Sequence, residues 1–360
     1  MNILIVTPIF PPQIGGPATY VWELVKRLKK KHNITIVYFG SKRKKIAKAT
    51  LILISTTKNT LSRQSRLFAS VFSHSKHADV VYIQGALIVG LTAMLAAKLR
   101  CKKTLLKFVG DEVWETAVNH HKTTLSLEKF YRHPLPVTYQ LHNLLQRITL
   151  LLSSKIIVPS LFLKQFLTSI HKINPQKIKV IPNAVNTKSI NTIKQKHQLI
   201  FVGRLVPWKN INQVIKAVNI ARKINPWKLI IVGSGPEEKN LKQLVQKYNA
   251  SNWVKFTGKL SRTKTHHHIA QSQKLILYSS YEGMPHVLIE AMLLNTPIIA
   301  SNIKPNKQTT NNYAHFVPQN NIKALAQAIN SSQTSKKAQK FAQSTYTWHK
   351  HIKSLETLLK

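Results

Sequence analysis

The stretch QLIFVGRLVPWKN, residues 198–210, carries the pattern that sets the fold. Its apolar run LIFV is typical of a strand buried on both faces of a parallel sheet. Gly203 follows as a turn, and a helical pattern begins near Asn210, a residue type favoured at helix N-caps. The same order of strand, glycine turn and helix returns in KLIIVGSGPEE, residues 228–238, and indicates a doubly wound α/β domain.

Strand and helix patterns alternate along the chain in two series. The first contains MNILIVTPIF, NITIVYFG, DVVYIQG, TLLKFVG and KIIVPS, and the second contains QLIFVGRL, KLIIVGSG, VKFTGK and KLILYSS. We therefore expect two doubly wound domains with ligands at the carboxyl ends of their strands. The polar segment 182–197 indicates the boundary, which gives a first domain of residues 1–187 and a second of residues 188–339.

Composition limits the class of protein. Of the 360 residues 43% are hydrophobic, which is ordinary for a globular chain, and no apolar run reaches the roughly 20 residues of a membrane span. The longest, ALIVGLTAMLAA at 86–97, is predicted to be a buried helix. The apolar N-terminus lacks a preceding basic region and Cys101 is the single cysteine, so the sequence predicts a cytoplasmic protein.

The net charge of +43 predicts a polyanionic partner. Lys and Arg number 54 against 11 acidic residues, which would attract either nucleic acid or an anionic membrane surface. Two segments, 61–72 and 127–147, mix basic with apolar residues. They fit either a membrane-surface patch, with the protein peripheral on the inner face of the cytoplasmic membrane, or ordinary helix packing.

The segment YEGMPHVLIEAM, residues 281–292, indicates a ligand site. Glu282 lies in a loop after a predicted strand, Pro285 suits the first turn of a helix, and Glu290 falls on the second turn. Such a helix start favours a phosphate through the backbone N–H groups around Gly283, Met284, His286 and Val287. Two carboxylates beside a phosphate suit the hydroxyls of a nucleotide sugar. The alternative is that both are ordinary surface acids.

Two further sites support an anionic ligand. Arg204 and Lys209 project from the turn that follows the strand QLIFV, where a pair of cations would clamp a diphosphate. Near the N-terminus, Gly15 and Gly16 in PPQIGGPATY precede a helix and would let backbone approach a phosphate or sugar. The run His266–His268 does not suggest a metal, because consecutive helical residues point in different directions, and a solvated helix is expected.

These segments together resemble the family 4 glycosyltransferases. The matching pieces are PPQIGG, IPNAVNT, GRLVPWKN, VGSGPEE and EGMPHVLIE, in the family's order and spacing over nearly the whole chain. The resemblance implies the GT-B fold, in which two Rossmann-like domains face each other across a cleft. It also implies that the helix of about residues 340–360 packs back on the first domain.

The resemblance further implies a retaining hexosyltransferase that uses a nucleotide-diphosphate sugar. Arg204 and Lys209 would bind the donor diphosphate and stabilise the leaving nucleotide. Glu282 would hold the donor sugar and Glu290 the ribose, while Gly16 would lie against the phosphates. No cofactor or metal is expected, and with only two aspartates no Asp-x-Asp motif occurs. The acceptor would be a glycan, lipid-linked or on a surface polysaccharide.

Asp111 has two interpretations. At the end of TLLKFVG it could orient or deprotonate the acceptor hydroxyl, or it could cap the helix that begins with EVWE. The sequence also departs from the family at Ala184 and Asn186, where glycine and aspartate are usual, which leaves room for an inactive relative.

The rival interpretations come from other classes of protein. A basic nucleic-acid-binding protein on the same scaffold has only the net charge in its favour, because no zinc-finger, RNA-binding or helix-turn-helix signature is present, so nucleic acid is not expected as a partner. A sugar-nucleotide epimerase or a phosphorylase fits the Arg204, Lys209, Glu282 and Glu290 set less well.

Overall fold

The structure is a computed structural model that describes residues 1–13, 15–41, 46–187, 190–331 and 336–360. The chain divides into two compact units: Met1–Ala117 with Glu128–Ile181 and His351–Lys360, and Val118–Leu127 with Pro182–Lys350. The change of unit thus falls between residues 181 and 182, whereas the sequence places the boundary between residues 187 and 188. Residue 188 lies outside the described residues.

The first unit is built on a parallel sheet. Its strands, in the described residues, are β1 Asn2–Thr7, β2 Asn33–Gly40, β3 Ala49–Ser55, β4 Val80–Gln84, β5 Lys103–Lys107, β6 Lys155–Val158 and β7 Ile178–Val180. They lie in the order β3-β2-β1-β4-β5-β6-β7. The accompanying helices are α1 Gly16–Leu28, α2 Thr60–Ser75, α3 Gly90–Lys98, α4 Glu112–Asn119, α5 Leu127–Phe130, α6 Val137–Leu152 and α7 Leu161–Ser169.

The second unit repeats this plan. Its described strands are β8 Gln195–Val202, β9 Lys228–Val232, β10 Val254–Gly258, β11 Ser272–Leu277, β12 Ile298–Ser301 and β13 His315–Val317, in the order β10-β9-β8-β11-β12-β13. The helices are α8 Ile211–Ala221, α9 Glu238–Lys247, α10 Arg262–Gln271, α11 His286–Leu293, α12 Lys304–Thr310, α13 Ile322–Asn330 and α14 Lys336–Thr345; α15 Trp348–Leu359 follows, and from His351 on it belongs to the first unit. Two doubly wound α/β units are therefore confirmed.

In both sheets the strand order reverses beside the first strand, between β1 and β4 and between β8 and β11. Loops diverge at such a point and leave a crevice at the carboxyl ends of the strands, where ligands of open α/β sheets bind. The predicted loop of Glu282 follows β11, and the turn of Arg204 follows β8. The fold thus places both segments at the switch point of the second sheet.

Two glycines allow the turns after β8 and β9 to interlock. A Cβ on Gly233, whose φ is +133°, would lie 1.9 Å from the carbonyl oxygen of Gly203, and one on Gly235 would lie 2.3 Å from that of Leu205. In return Leu205 N donates to the carbonyl oxygen of Ser234 at 3.1 Å. The GSG turn therefore needs glycine for close backbone approach as well as for conformation.

The apolar segment 86–97 is not helical throughout. Helix α3 begins at Gly90, because the backbone N–H groups of Ala86, Leu87 and Ile88 donate to the Glu112 carboxylate at 2.9–3.2 Å and hold a loop instead. Burial raises the pKa of the Glu112 carboxyl, against the three N–H groups that lower it. No helix in the described ranges combines the length and apolar character of a membrane span.

One buried cluster in the first unit is polar. Lys107, at the end of β5, is fully buried, and its Nζ lies 5.1 Å from the ring centroid of Tyr20 without a hydrogen-bond partner in the described part of the chain. Tyr20 Oη lies 3.1 Å from Tyr82 Oη and 2.8 Å from His351 Nε2, which joins α1 to α15. Burial lowers the pKa of Lys107 to about 7.

Candidate active site

An ion pair joins the two loops at the switch point of the second sheet. Lys209 Nζ donates to Glu282 Oε1, and the same oxygen accepts from Ser279 Oγ at 2.7 Å. Glu282 is buried and Lys209 is half-buried. The strands β8 and β11 are neighbours, so their following loops meet. The structure thus brings together two residues that the sequence analysis placed in one site.

The backbone of these loops is fixed by further contacts. Asn210 Nδ2 donates to the carbonyl oxygen of Tyr278 at 3.1 Å, and Ser280 N donates to that of Trp208 at 2.8 Å. Asn210 occupies the N-cap position of α8, but it is left-handed with φ of 51°, and no cap bond forms from its side chain. The side-chain amide of Asn210 bonds to Tyr278 instead, so the expectation that it caps α8 is wrong.

Arg204 differs from Lys209 in its environment. It lies in the turn after β8 and is exposed. No carboxylate oxygen of the described residues lies within 4 Å of its guanidinium. The turn therefore presents one cation that is already paired, Lys209, and one that has no acidic partner in the described chain.

The start of α11 lies directly after Glu282. The helix begins at His286, with Pro285 at the N-cap position and no side-chain cap. Met284 Sδ accepts from Asn183 N at 3.3 Å, and Asn183 Nδ2 lies 2.9 Å from His286 Nε2. The IPNAVNT segment therefore supports the helix start, while Gly283, Met284, His286 and Val287 are half-buried. A helix start beside a lysine suits an anion.

Glu290 is held from the neighbouring helix α10. His266 Nε2 lies 3.2 Å from Glu290 Oε1, and a guanidinium nitrogen of Arg262 lies 3.7 Å from the same oxygen. The His266 contact lacks hydrogen-bond geometry, so it acts as an ion pair when the ring is protonated. The expectation of a solvated helix is wrong for His266, which is buried because it faces α11.

The structure favours the capping interpretation of Asp111. In the first unit this fully buried carboxylate accepts from Trp114 N, Tyr131 Oη and Gln146 Nε2, each at 2.8 Å, and lies 3.4 Å from His171 Nε2. The Trp114 bond caps α4. With donors on both oxygens, the carboxylate joins several elements, and its action on an acceptor hydroxyl stays a prediction.

Gly15 and Gly16 lie in the first unit, apart in the chain from the other predicted donor residues. Gly16 begins α1, and among the described residues no heavy atom outside its chain neighbours and its own helix backbone lies within 4 Å of the place where its Cβ would be. Gly15 is extended, and a Cβ there would lie 2.7 Å from Ile9 Cδ1. The structure therefore shows open space beside the start of α1, and a phosphate contact there stays a prediction.

Sequence reasoning did not find several residues of this site. Ser279, Asn183, Arg262 and His266 contact the predicted residues, and of these only Asn183 lies in a quoted motif, IPNAVNT, which assigned it no role. The Ser279 and Asn183 contacts depend on which strands are neighbours. Only the i, i+4 spacing of Arg262 and His266 on one helix face could have indicated a shared target. No group of three His, Cys, Asp or Glu side chains suited to a metal occurs within the described residues.

Two models of known protein families match this chain. Residues 14–189 match the model of Glycosyltransferase Family 4, and residues 184–348 match that of Glycosyl transferases group 1. The two matches follow one another and leave only the ends of the chain uncovered. The chain therefore belongs to the family 4 glycosyltransferases, as its motifs predict.

Relatives and solved structures agree with this assignment. An uncharacterised glycosyltransferase of Haemophilus influenzae is 31% identical over 159 residues, which are 41% of this chain and 44% of the relative. The O-antigen chain mannosyltransferase RfbU of Salmonella typhimurium is 28% identical over 176 residues, 48% of this chain and 49% of the relative. The chain thus spans about half the length of these curated relatives in the matched regions.

The structural likeness covers the whole chain. Anabaena HepE, solved in complex with UDP and glucose, superposes with a TM-score of 0.77 and 18% identity over 99% of both chains. At this identity the likeness shows the fold, and it confirms the predicted GT-B architecture of two doubly wound α/β units.

Proposed function

We propose that this protein is a retaining glycosyltransferase that transfers a hexose from a nucleotide-diphosphate sugar to an acceptor hydroxyl. The observation that carries the proposal is the Lys209–Glu282 ion pair, which lies beside the start of α11 at the switch point of the second sheet. Cations and a helix start suit a diphosphate, and a buried carboxylate beside them suits sugar hydroxyls.

The donor would be held by residues with distinct tasks. Arg204 and Lys209 would bind the diphosphate, with the start of α11 as a further phosphate ligand. Glu282, oriented by Lys209 and Ser279, would accept hydrogen bonds from the hexose. Glu290 would accept hydrogen bonds from the ribose.

The reaction needs a stabilised leaving group. As the bond between the sugar and the diphosphate breaks, negative charge grows on the diphosphate, and fixed positive charge lowers the energy of that state. Because Lys209 already shares its charge with Glu282, the exposed Arg204 would supply the larger part. We propose a front-face substitution without a metal ion, in which Arg204 and Lys209 stabilise the negative charge on the leaving diphosphate.

The acceptor proposed here is a lipid-linked or surface glycan. RfbU, one of the matched relatives, acts on the O-antigen chain according to its name. The net charge of +43 would hold the enzyme at the anionic inner face of the cytoplasmic membrane, where lipid-linked glycans are exposed.

Thermal unfolding with nucleotides tests the donor site. A nucleotide at about 100 times its Kd should stabilise the folded protein by about 2.7 kcal/mol, which raises Tm by roughly 5 °C. UDP, GDP and ADP are compared with duplex DNA, on wild type, on Arg204→Ala and on the matched surface control Arg66→Ala. One nucleotide should stabilise wild type and the control but not Arg204→Ala. Stabilisation by DNA alone would reject the proposal in favour of a nucleic-acid-binding protein.

Transfer itself separates an enzyme from an inactive relative. Incubation with the stabilising nucleotide's sugar should release free nucleoside diphosphate, by transfer or by slow hydrolysis, and Arg204→Ala should lower the rate by roughly a hundredfold or more. Nucleotide binding with no turnover on any lipid-linked or glycan acceptor would identify an inactive relative.

A further inference from the structure

Helix α6 of the first unit exposes a stripe of apolar side chains. Val137, Leu141, Leu144 and Leu151 recur at spacings of four, three and seven residues, which places them along one side of the helix. That side faces outward, because these four side chains are 48–81% exposed. The inward side carries the buried Tyr139, Gln146, Thr149 and Leu150. The helix thus buries one side and leaves a second, apolar stripe exposed, which the unit itself does not cover.

The neighbouring helix α3 also exposes apolar side chains. Leu95 and Leu99 lie four residues apart at its outer side and are exposed. The two helices pack side by side: Lys98 Nζ donates to Ser154 Oγ, just beyond α6, at 3.2 Å. We call Leu95, Leu99, Val137, Leu141, Leu144 and Leu151 the leucine face.

The helices that carry and flank the leucine face are basic. Helix α2 packs against α3, where Thr92 Oγ1 donates to Gln64 Oε1 at 2.7 Å. The helices α2, α3 and α6 contain no Asp or Glu, and Arg66 and Arg147 are exposed on them. An apolar surface on helices that carry basic residues and no acidic ones complements the surface of an anionic lipid bilayer, in which apolar acyl chains lie beneath anionic head groups.

We propose that the leucine face docks on an anionic lipid bilayer. The leucines would enter the boundary between head groups and acyl chains, and Arg66 and Arg147 would reach the lipid phosphates. This proposal identifies the surface that would hold the protein at the membrane in the proposed function. It depends on that function only for the choice of a glycan acceptor. The charge argues against a second copy of the chain as the occupant, because two such basic layers would repel one another.

Vesicle flotation of the full chain tests the surface. The vesicles contain phosphatidylglycerol and phosphatidylcholine, or phosphatidylcholine alone, at low and moderate salt. The variant Leu141→Gln/Leu144→Gln keeps helix-forming residues of similar size, and its matched control is Ile220→Gln/Ile224→Gln, an exposed apolar pair in the second unit. Arg147→Gln tests the electrostatic part.

Wild type and the control pair should float with the anionic vesicles, more strongly at low salt. Leu141→Gln/Leu144→Gln should lower the partition coefficient by roughly ten- to a hundredfold, and Arg147→Gln by roughly fivefold. All variants should unfold at the wild-type temperature and retain nucleotide stabilisation. Flotation without nucleotide stabilisation would support this surface while it rejects the proposed donor site.

Three results would overturn the proposal. One is the absence of wild-type flotation with anionic vesicles at low salt. Another is equal flotation of wild type and Leu141→Gln/Leu144→Gln. The third is a wild-type dimer in sedimentation that this double variant dissociates, because the leucine face would then be an interface between two copies of the chain.

Discussion

Replacing Lys107 by methionine should stabilise the protein, and the gain should shrink as the pH rises. Burial lowers the pKa of Lys107 from 10.5 to about 7, so the folded state disfavours the ammonium form. Below pH 7 both states carry the proton, and the folded state bears the whole cost of the buried charge. Above pH 10.5 neither state carries it, and this cost vanishes.

The structure sets the magnitude. A pKa difference of that size corresponds to about 5 kcal/mol between the folded and unfolded states. Wild-type stability should therefore rise relative to Lys107→Met by about 1.4 kcal/mol per pH unit above pH 7. Methionine has a similar length and no charge, so it should fill the same space.

Urea unfolding of both proteins from pH 6 to pH 9 measures the effect. The stability difference should be constant below pH 7 and should fall by about 3 kcal/mol between pH 7 and pH 9. Lys103→Met, at the partly exposed start of the same strand, serves as the control and should give a difference that does not change with pH. A pH-independent difference for Lys107→Met, or a loss of stability at pH 6, would refute the reasoning, because the amine would then have a favourable partner.

Three further changes test other parts of the structure. Gly233→Ala should destabilise the second unit by at least about 3 kcal/mol in urea unfolding, because its Cβ would overlap a carbonyl oxygen, whereas Gly16→Ala should cost less than about 1 kcal/mol. Asp111→Asn should lose about 2–4 kcal/mol of stability, because an amide N–H would face a donor, and unchanged turnover would remove any catalytic role. His266→Gln should weaken nucleotide binding roughly tenfold in calorimetry without lowering Tm. Unchanged affinity would show that the His266 contact does not contribute to the ribose binding proposed for Glu290.

The fold could be read from the sequence because the strand runs are apolar and each ends in a turn. Two runs, LIFV before Gly203 and LIIV before Gly233, are short, continuously apolar and followed by a glycine turn, as is typical of buried parallel strands. The start of α3 could not be predicted, because the residues before Gly90 are good helix formers. They form a loop only because Glu112, more than 20 residues later, accepts their N–H groups, and such distant contacts leave no local pattern.

The proximity of Glu282 and Lys209 was predictable in the same way. Glu282 and Lys209 stand in motifs after strands, so topology alone brings them to one edge. The identity of their partners depends on side-chain directions in three dimensions. His266 shows this limit, since in sequence it belongs to a polar histidine run, but one of its neighbours in space is Glu290.

The interlocked turns after β8 and β9 also determine how the second unit can move. Leu205 N donates to the carbonyl oxygen of Ser234, the carbonyl oxygen of Leu205 accepts from Glu237 N just after the GSG turn, and no side-chain atom separates the two backbones at Gly233 or Gly235. One turn cannot shift without carrying the other, so a hinge cannot lie between them. Amide hydrogen exchange at Leu205 should then report the opening of the whole pair, and any movement of Arg204 toward a ligand must come from its side chain or from the unit as a rigid piece.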